Sequence, residues 1–350
     1  MRWDDLPLQN HAGWASNGSV TLNLRDPRGR DLARRLVAHC DVVLENFGVG
    51  VMDRLGLGYD ALREVRPDVV YVSMPAAGLD GPLSSVRTYG TSLCSIAGLD
   101  SITGYDDSGP VTMENAFADP LGGIVGAFAT MLGLFHRRAT GRGQHIDYSQ
   151  QEGVLQMMGP ALMDLTMNGR VAGPIGNRHP LGVGAPHGVF PCRGDDRWIS
   201  IAVMTDAEWR GLVAALGAPD WATDERLDTA AGRRGALDEL HEQLARWTVA
   251  HDDAELADRL QAHGVAAAPV LNVADLLHHP HYRARGTFVE VVHPLGFTET
   301  IYGACVKSST TVADVRPGPA MGQDNDRVLR GLLGLDDAEY ARLVDEGVID

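Results

Sequence analysis

Asp119 and the glycines after it are the residues whose types and spacing point most directly to chemistry. The segment reads Asn115-Ala-Phe-Ala-Asp119-Pro120-Leu-Gly122-Gly123. Asp-Pro ahead of a long apolar run marks a helix start, because Asp caps well and Pro fits a first turn that needs no N–H from it. A carboxylate there faces unsatisfied backbone N–H groups and the positive end of the helix dipole. Gly122 and Gly123 clear the first turn of side chains, so a ligand can reach the backbone. An accessible ionised carboxylate beside free N–H donors suits covalent catalysis: it could attack a thioester while nearby donors hold the developing oxyanion. Glu114 and Asn115 could orient it. The same residues would serve equally as a helix cap, a close helix contact and ordinary loop polarity.

These residues need a scaffold, and the flanking pattern supplies one. Ser19–Leu24 alternates like a strand. Asp26-Pro27 opens a helix to about Ala38, Asp41–Glu45 is a short apolar strand, Tyr59–Val65 a helix and Asp68–Ser73 a strand. The helix opened by Asp119-Pro120 runs to about Arg138, Gly141-Arg-Gly143 breaks it, Gln144–Tyr148 is a strand and Ser149–Met167 another helix. Strands alternating with helices at this spacing argue for βαβ units on a parallel sheet. The uncharged stretch Leu121–Phe135 is shorter than the roughly 20 residues a bilayer needs and is expected to be a buried helix. Gly169–Pro186 is rich in Gly and Pro and reads as a domain connector. Beyond it, strands at Val189-Phe190 and Trp198–Val203 flank the turn Arg193–Asp196, and amphipathic helices follow at Asp206–Leu216, Ala236–Trp247 and Asp253–His263. Trp198, Trp209 and Trp247 are expected in the core of that smaller α+β domain. Asp324–Asp350 reads as an acidic helical tail with a solvated face.

Composition narrows the function classes. A chain of 350 residues suits two domains, and 44% hydrophobic with 22% charged residues can bury a core. Acidic residues outnumber basic ones 46 to 30, a net charge of −16, which argues against binding nucleic acid. Met1-Arg2-Trp3-Asp4-Asp5 lacks the apolar core of a signal peptide, so neither export nor a membrane is expected and the cytoplasm is the default. Cys40, Cys94, Cys192 and Cys305 form no CxxC pair, which suggests neither zinc nor a disulfide framework. His278-His279-Pro280-His281 is one short loop, which seldom supplies a whole metal site, so no metal is expected.

A series of motifs, in order, adds a family resemblance. They are Thr21-Leu-Asn-Leu-Arg-Asp-Pro-Arg-Gly29, Val42-Val-Leu-Glu-Asn46-Phe47, Asp53-Arg-Leu-Gly-Leu-Gly-Tyr59 with Ala61-Leu62, and Ser101-Ile-Thr-Gly104. The Asp119 segment follows, then Thr140-Gly-Arg-Gly-Gln144 with Ile146-Asp147, Gly176-Asn-Arg-His-Pro180, Gly188-Val-Phe-Pro191, Gly264-Val265 with Pro269-Val270, His279-Pro280 with Arg285-Gly286, and Pro319-Ala-Met-Gly322. Together they make the chain resemble the class III CoA-transferase family, the CaiB/BaiF type. The resemblance implies an α/β fold: a Rossmann-like, CoA-binding large domain with a parallel sheet (1–187, N-terminally incomplete), a small α+β domain (188–290), and a C-terminal segment (291–350) returning to the large domain. It implies an acyl-CoA:carboxylate CoA-transferase that takes CoA or acyl-CoA as substrate, holds no permanent cofactor, and serves an acyl-CoA donor and a small carboxylic acid acceptor. An interlocked homodimer is expected, with a heteromer as the other possibility.

The same resemblance gives Asp119 the role of nucleophile, forming an aspartyl anhydride and then an aspartyl-CoA thioester. Asn46 and Phe47 become candidate contacts to the nucleotide end, with core packing the competing reading for Phe47. Gly182 and Gly184, in Leu181-Gly-Val-Gly184, fall where relatives have a mobile shielding loop; a plain linker is the alternative. Tyr89 stands where the family's 2-methylacyl-CoA racemases carry His, and without the imidazole one acid/base partner is missing. The chain also departs from the family. Asn17-Gly18 replaces a Lys-Arg pair, and Gly48 replaces an Arg, so cations that hold CoA phosphates are absent at those positions. The family's first strand, its glycine turn and the next helix have no counterpart in residues 1–18, which would leave an edge strand uncovered. These departures motivate the alternative of a non-catalytic or incomplete subunit, such as half of a tandem transferase.

Overall fold

The computed structural model describes residues 13, 15–105, 107, 109–113 and 117–350. The readings for residues 1–12, Trp14, Glu114 and Asn115 lie outside the described residues. Contacts divide the chain into two units: Met1–Leu99 with Thr112–Arg170 and Leu277–Asp350, and Asp100–Val111 with Val171–Leu276.

The first unit is built on a three-stranded parallel sheet, β1 (Val42–Glu45), β2 (Val70–Ser73) and β3 (Gln144–Asp147), in that order. The register aligns Glu45 with Ser73 and Ser73 with Asp147, so the three strands end side by side. β2 is buried at all four positions, which explains its unbroken apolar run: a central parallel strand is covered on both faces. Tyr71 and Val69 point to one face, where they pack with Val37, Leu57 and Leu62. Those residues come from α1 (Pro27–Val37), α2 (Tyr59–Val65) and the loop between. α1 starts as its sequence requires, with Asp26 accepting from the Arg28 N–H and Pro27 in the first turn. Val70, Val72 and Met74 form the other face with Leu134 and Ile146.

On that second face lies a long helix. α3 (Gly90–Ile96) precedes it, α4 spans Ala118–Thr140, and α5 (Gln150–Leu155) and α6 (Gly159–Asn168) follow β3. The expected single helix over Ser149–Met167 is divided by a short 3₁₀ turn, because Pro160 cannot continue the hydrogen-bond ladder and instead opens α6. α4 was expected to be buried, and only its inner stripe is. Ile124, Phe128, Met131, Leu132 and Phe135 are all more than half exposed, as are Leu162, Met163 and Met167 of α6. By length and composition alone α4 could cross a membrane, but its inner stripe is committed to the sheet.

The second unit has a three-stranded antiparallel sheet, β4 (His187–Pro191), β5 (Trp198–Ala202) and β6 (Ala266–Pro269). α7 (Asp206–Leu216), α8 (Leu237–Thr248) and α9 (Asp253–Ala262) cover it, enclosing Phe190, Ile199, Ile201, Trp209, Leu212, Leu244 and Leu260. Trp209 is core, but Trp198 lies at the surface with its Nε1–H donating to Asp196 Oδ1 at 2.8 Å. Arg233 is buried beneath this core and donates to the Ala185 carbonyl at 3.0 Å, the Leu227 carbonyl at 2.9 Å and Asp206 at 2.8 Å.

The boundaries differ from the expected 1–187, 188–290 and 291–350. Residues 171–187 group with the second unit: Gly176 N–H donates to the Gly104 carbonyl at 2.8 Å and Ala185 N–H to the Val203 carbonyl at 2.9 Å. The chain rejoins the first unit at Leu277 rather than 291. The histidines that follow are used locally, since Arg283 donates to His278 Nδ1 at 2.8 Å and His279 caps a short helix.

The last part of the chain adds the hairpin β7 (Phe288–Val292) and β8 (Thr298–Tyr302) and the helix α10 (Asp337–Asp345) to the first unit. The expected strand at Ser19–Leu24 is not in the sheet. Residues 19–23 are instead clasped by the C-terminal segment: Ser19 N–H donates to Asp324 at 2.9 Å, Thr21 N–H to Asn325 at 2.8 Å, and Asn23 N–H to the Val348 carbonyl at 2.9 Å. Leu329, Leu335, Leu343, Val348 and Ile349 bury an apolar seam with Leu32, Val20 and Leu22. The tail therefore forms core through its apolar residues, while Asp326, Asp336, Asp337, Asp345 and Glu346 keep an exposed acidic face.

Candidate active site

α4 is seated by its own small residues. Gly122, Gly126 and Gly133 are buried along one stripe. A Cβ on Gly133 would lie 2.5 Å from Val70 Cγ1, and one on Gly126 2.6 Å from Met74 Sδ. The helix backbone lies almost on the strand: glycine is required at 133, against the buried Val70, while at 126 the facing group is the flexible end of Met74. Gly133 sits over the start of β2 and Gly126 over the residue just past its end, so α4 runs antiparallel to β2. Its first turn overhangs the edge where the strands end, the edge at which open α/β sheets bind ligands.

Asp119 and Arg137 mark the two ends of that stripe, eighteen positions apart and so about five full turns. Arg137 reaches the opposite edge of the sheet. It donates to the Asp41 carbonyl at 3.1 Å and pairs with the Asp41 carboxylate at 2.9 Å, ahead of β1. Fixed at one end by this pair and along its middle by the glycines, α4 holds Asp119 beyond the strand ends.

The helix begins at Ala118, with Phe117 at the cap position, so Asp119 lies inside the first turn and is not the cap. Pro120 is harmless there, since the first intrahelical bond is Leu121 N–H to the Phe117 carbonyl at 3.2 Å. Asp119 is exposed, and among the described residues no side chain hydrogen-bonds its carboxylate. Its partial burial in the first turn costs the carboxyl some hydration, and this desolvation raises its pKa above the ordinary carboxylate value. A less acidic carboxylate is the better nucleophile once ionised.

The two glycines after Asp119 differ. Gly123 faces open space. Gly122 faces inward, where a Cβ would lie 2.8 Å from Gln150 Oε1, so it serves packing and does not open the turn to a ligand. α3 supports the same turn, because Leu93, Cys94 and Ala97 pack with Ala118, and Phe117 and Leu121 join them. Tyr89 stands at the start of α3 and is 86% exposed.

Asn46 and Phe47 leave β1 at the strand-end edge. Phe47 is half exposed, which overturns core packing for it, and its N–H donates to Glu45 at 2.8 Å. Gly48 leaves open space. Arg54, a residue to which the motifs assign no role, lies beside this turn: its Nη1 is 3.0 Å from where a Cβ on Gly50 would be. Arg54 is exposed and, among the described residues, makes no ion pair. Its signal was the basic residue four positions after a glycine, Gly50, which takes φ +75° as the cap of a short helix. The structure thus gathers Asn46, Phe47, Asp119, Gly122 and Gly123 in the first unit, and Tyr89 on the helix packed against the Asp119 turn. Gly182 and Gly184 belong to the second unit. There Gly184 is buried against Met204, and Gly182, in a left-handed conformation, faces open space. Among the described residues, no group of His, Cys, Asp or Glu is arranged to hold a metal ion.

Comparison with known proteins gives a consistent picture. Residues 14–325 match the model of CoA-transferase family III. The chain is 29% identical over 353 residues to a formyl-CoA:oxalate CoA-transferase of Rhodopseudomonas palustris, covering 95% of this chain and 82% of that protein. It is 30% identical over 332 residues to the succinyl-CoA–D-citramalate CoA-transferase of Chloroflexus aurantiacus, with the same coverage of 95% and 82%. A crystal structure of a CaiB/BaiF family protein from Brucella suis superposes with a TM-score of 0.83 at 29% identity, over 92% of this chain and 83% of that one.

Proposed function

Since the chain belongs to CoA-transferase family III, we propose that it moves CoA from an acyl-CoA donor to a small carboxylic acid, with Asp119 as the covalent nucleophile. An Asp119 carboxylate oxygen attacks the donor thioester carbonyl, the C–S bond breaks, and CoA thiolate leaves behind a mixed anhydride. The thiolate attacks the aspartyl carbonyl and releases the donor's carboxylate, so the enzyme holds CoA as a thioester. The acceptor carboxylate attacks that thioester, giving a second anhydride and thiolate. Attack of the thiolate on the acceptor's carbonyl frees the new acyl-CoA and regenerates Asp119. Charge and protons balance without a metal or redox partner. The open N–H groups of the α4 first turn would hold each oxyanion.

The observation that carries this reading is the position of Asp119, in a first turn that overhangs the strand ends and is open at Gly123. Arg54, Asn46 and Phe47 lie at the exit of β1 and would take the nucleotide phosphates and adenine. Relatives that act on oxalate and on citramalate make small oxygen-rich carboxylates the first acceptors to test. The exposed apolar stripes of α4 and α6 need protein cover, which favours the intertwined homodimer. To test the chemistry, the protein is incubated with succinyl-CoA or formyl-CoA and quenched with hydroxylamine. A hydroxamate on the peptide holding Asp119 is expected, and its absence under conditions that label a relative would overturn the assignment.

The second reading, a non-catalytic subunit, is favoured by Gly48 and by Asn17-Gly18, where cations are missing. Calorimetry with CoA separates the two. Micromolar binding that weakens at least tenfold in Arg54→Ala supports a working nucleotide site, and no binding supports the subunit reading.

A further inference from the structure

Gln150 bridges the exit of β2 and the first turn of α4. It opens α5, the helix after β3. Its Nε2 donates to the Met74 carbonyl at 2.6 Å, at the exit of β2. Its own N–H donates to the Pro75 carbonyl at 3.3 Å, and the next N–H, of Gln151, to the Ala76 carbonyl at 2.9 Å. With its nitrogen held in this way, the carboxamide turns Oε1 into the hollow that Gly122 leaves, 2.8 Å from where a Cβ would stand. Gly122 is three residues after Asp119 and on the same stripe of α4. A larger residue at 122 would lift the turn off Gln150, and a smaller one at 150 would let it sink toward Met74.

We propose that Gln150 is a positioning residue: its carboxamide, wedged between the β2 exit and Gly122, fixes the height and orientation of the turn that carries Asp119. The inference rests on the reading of Asp119 as the nucleophile. Neighbouring Cβ positions three apart on a helix are about 5–6 Å from one another. Oε1 is therefore within about 9 Å of Asp119 Cβ, close enough that a charge at 150 acts on the Asp119 carboxylate, given a screening length of about 10 Å at 0.1 M salt.

The test uses the full chain with ¹³C-carboxyl aspartate, the Asp119 signal being assigned by its loss in Asp119→Asn. In Gln150→Glu the Asp119 titration moves to higher pH, because the new carboxylate opposes the old one. The acid limb of the transfer rate moves with it. In Gln150→Ala kcat falls at least tenfold with little change in KM for acyl-CoA. Gly122→Ala falls similarly, and the double variant Gly122→Ala/Gln150→Ala recovers part of that loss, because removing the carboxamide makes room for the added Cβ. An unmoved Asp119 titration in Gln150→Glu, together with additive losses in the double variant, overturns the proposal. The titration and its shift do not need turnover, so a wild type that forms no Asp119 adduct would sink the nucleophile reading and leave this measurement to decide on Gln150.

Discussion

Three alanine substitutions in α4 should have three different outcomes, and their order tests both the seating of the helix and the site. Replacing a helical Gly by Ala gains about 1 kcal/mol of helix propensity. At Gly123 the new methyl meets nothing within 4 Å, so the full gain of about 1 kcal/mol should appear. At Gly126 it meets Met74 Sδ at 2.6 Å and Cε at 2.9 Å. That is the end of a flexible side chain, whose off-rotamer cost of about 0.5–1.5 kcal/mol cancels the gain. At Gly133 it meets Val70 Cγ1 at 2.5 Å and Ile146 Cδ1 at 3.2 Å. Val70 is β-branched, fully buried and on the central strand, so it cannot turn away. Overpacking in the upper part of its usual range, about 2–3 kcal/mol, then outweighs the gain and leaves a net loss of about 1–2 kcal/mol. The described tryptophans, Trp198, Trp209, Trp221 and Trp247, all lie in the second unit. Their fluorescence reports that unit, so hydrogen exchange at the β2 amides must report the first. Transfer activity should run against stability: Gly123→Ala, the most stable, loses at least tenfold in kcat/KM, because its methyl stands where acyl-CoA approaches. A Gly133→Ala protein as stable as wild type would refute the close seating of α4, and a fully active Gly123→Ala would refute ligand approach over this turn.

Other predictions follow from the same geometry. The Asp119 pKa is raised by burial, so any stability from its protonated form is present below the unfolded carboxylate value and is lost as pH rises through the folded one. Asp119→Asn should therefore melt higher than wild type near neutral pH, with the gap closing in acid, while the transfer rate falls off in acid at higher pH than an ordinary carboxylate would give. Arg233→Ala strands the buried Ala185 and Leu227 carbonyls and opens a cavity beside Trp209. Tryptophan fluorescence in urea should show the second unit weakened by about 3 kcal/mol or more. Asn325 accepts from Thr21 N–H at 2.8 Å and donates to the Thr21 hydroxyl at 2.7 Å and the Asp350 carbonyl at 3.0 Å. Asn325→Ala should cost about 2 kcal/mol, read as faster exchange at Thr21.

The legible part of the fold was the part made of local pattern. β1, β2 and the helix after Asp119-Pro120 carry apolar runs, and the helix at Asp26-Pro27 carries its cap, and these decide their conformation within a few residues. Ser19–Leu24 has the alternation of a strand, but its partners are side chains some 300 residues away, Asp324 and Asn325, which no short window contains. β6 reads Ala-Ala-Ala-Pro, a weak strand by propensity that forms because β5 offers it an edge. The inner stripe of α4 was visible as glycines, but their meaning was divided between ligand access and packing. Only the facing atoms, Gln150 for Gly122 and nothing for Gly123, assign one role to each. Asp119 was found from its residue type and helix start, and its placement one residue inside the helix followed from where the ladder begins.

The clasp between residues 19–23 and the C-terminal segment also sets a schedule for the chain during synthesis. Its hydrogen-bond partners lie 305 and 304 positions apart. At roughly 5–20 residues per second, on the order of 15–60 s separates the emergence of the two halves. For that interval Val20, Leu22 and Leu32 have no seam to enter. The second unit, drawn almost wholly from one continuous stretch, can complete its core in the meantime. The early segment is then the part of the nascent chain most dependent on protection from aggregation, and a ribosome that stalls before Leu329 leaves a finished second unit in a chain whose first unit is still unclosed.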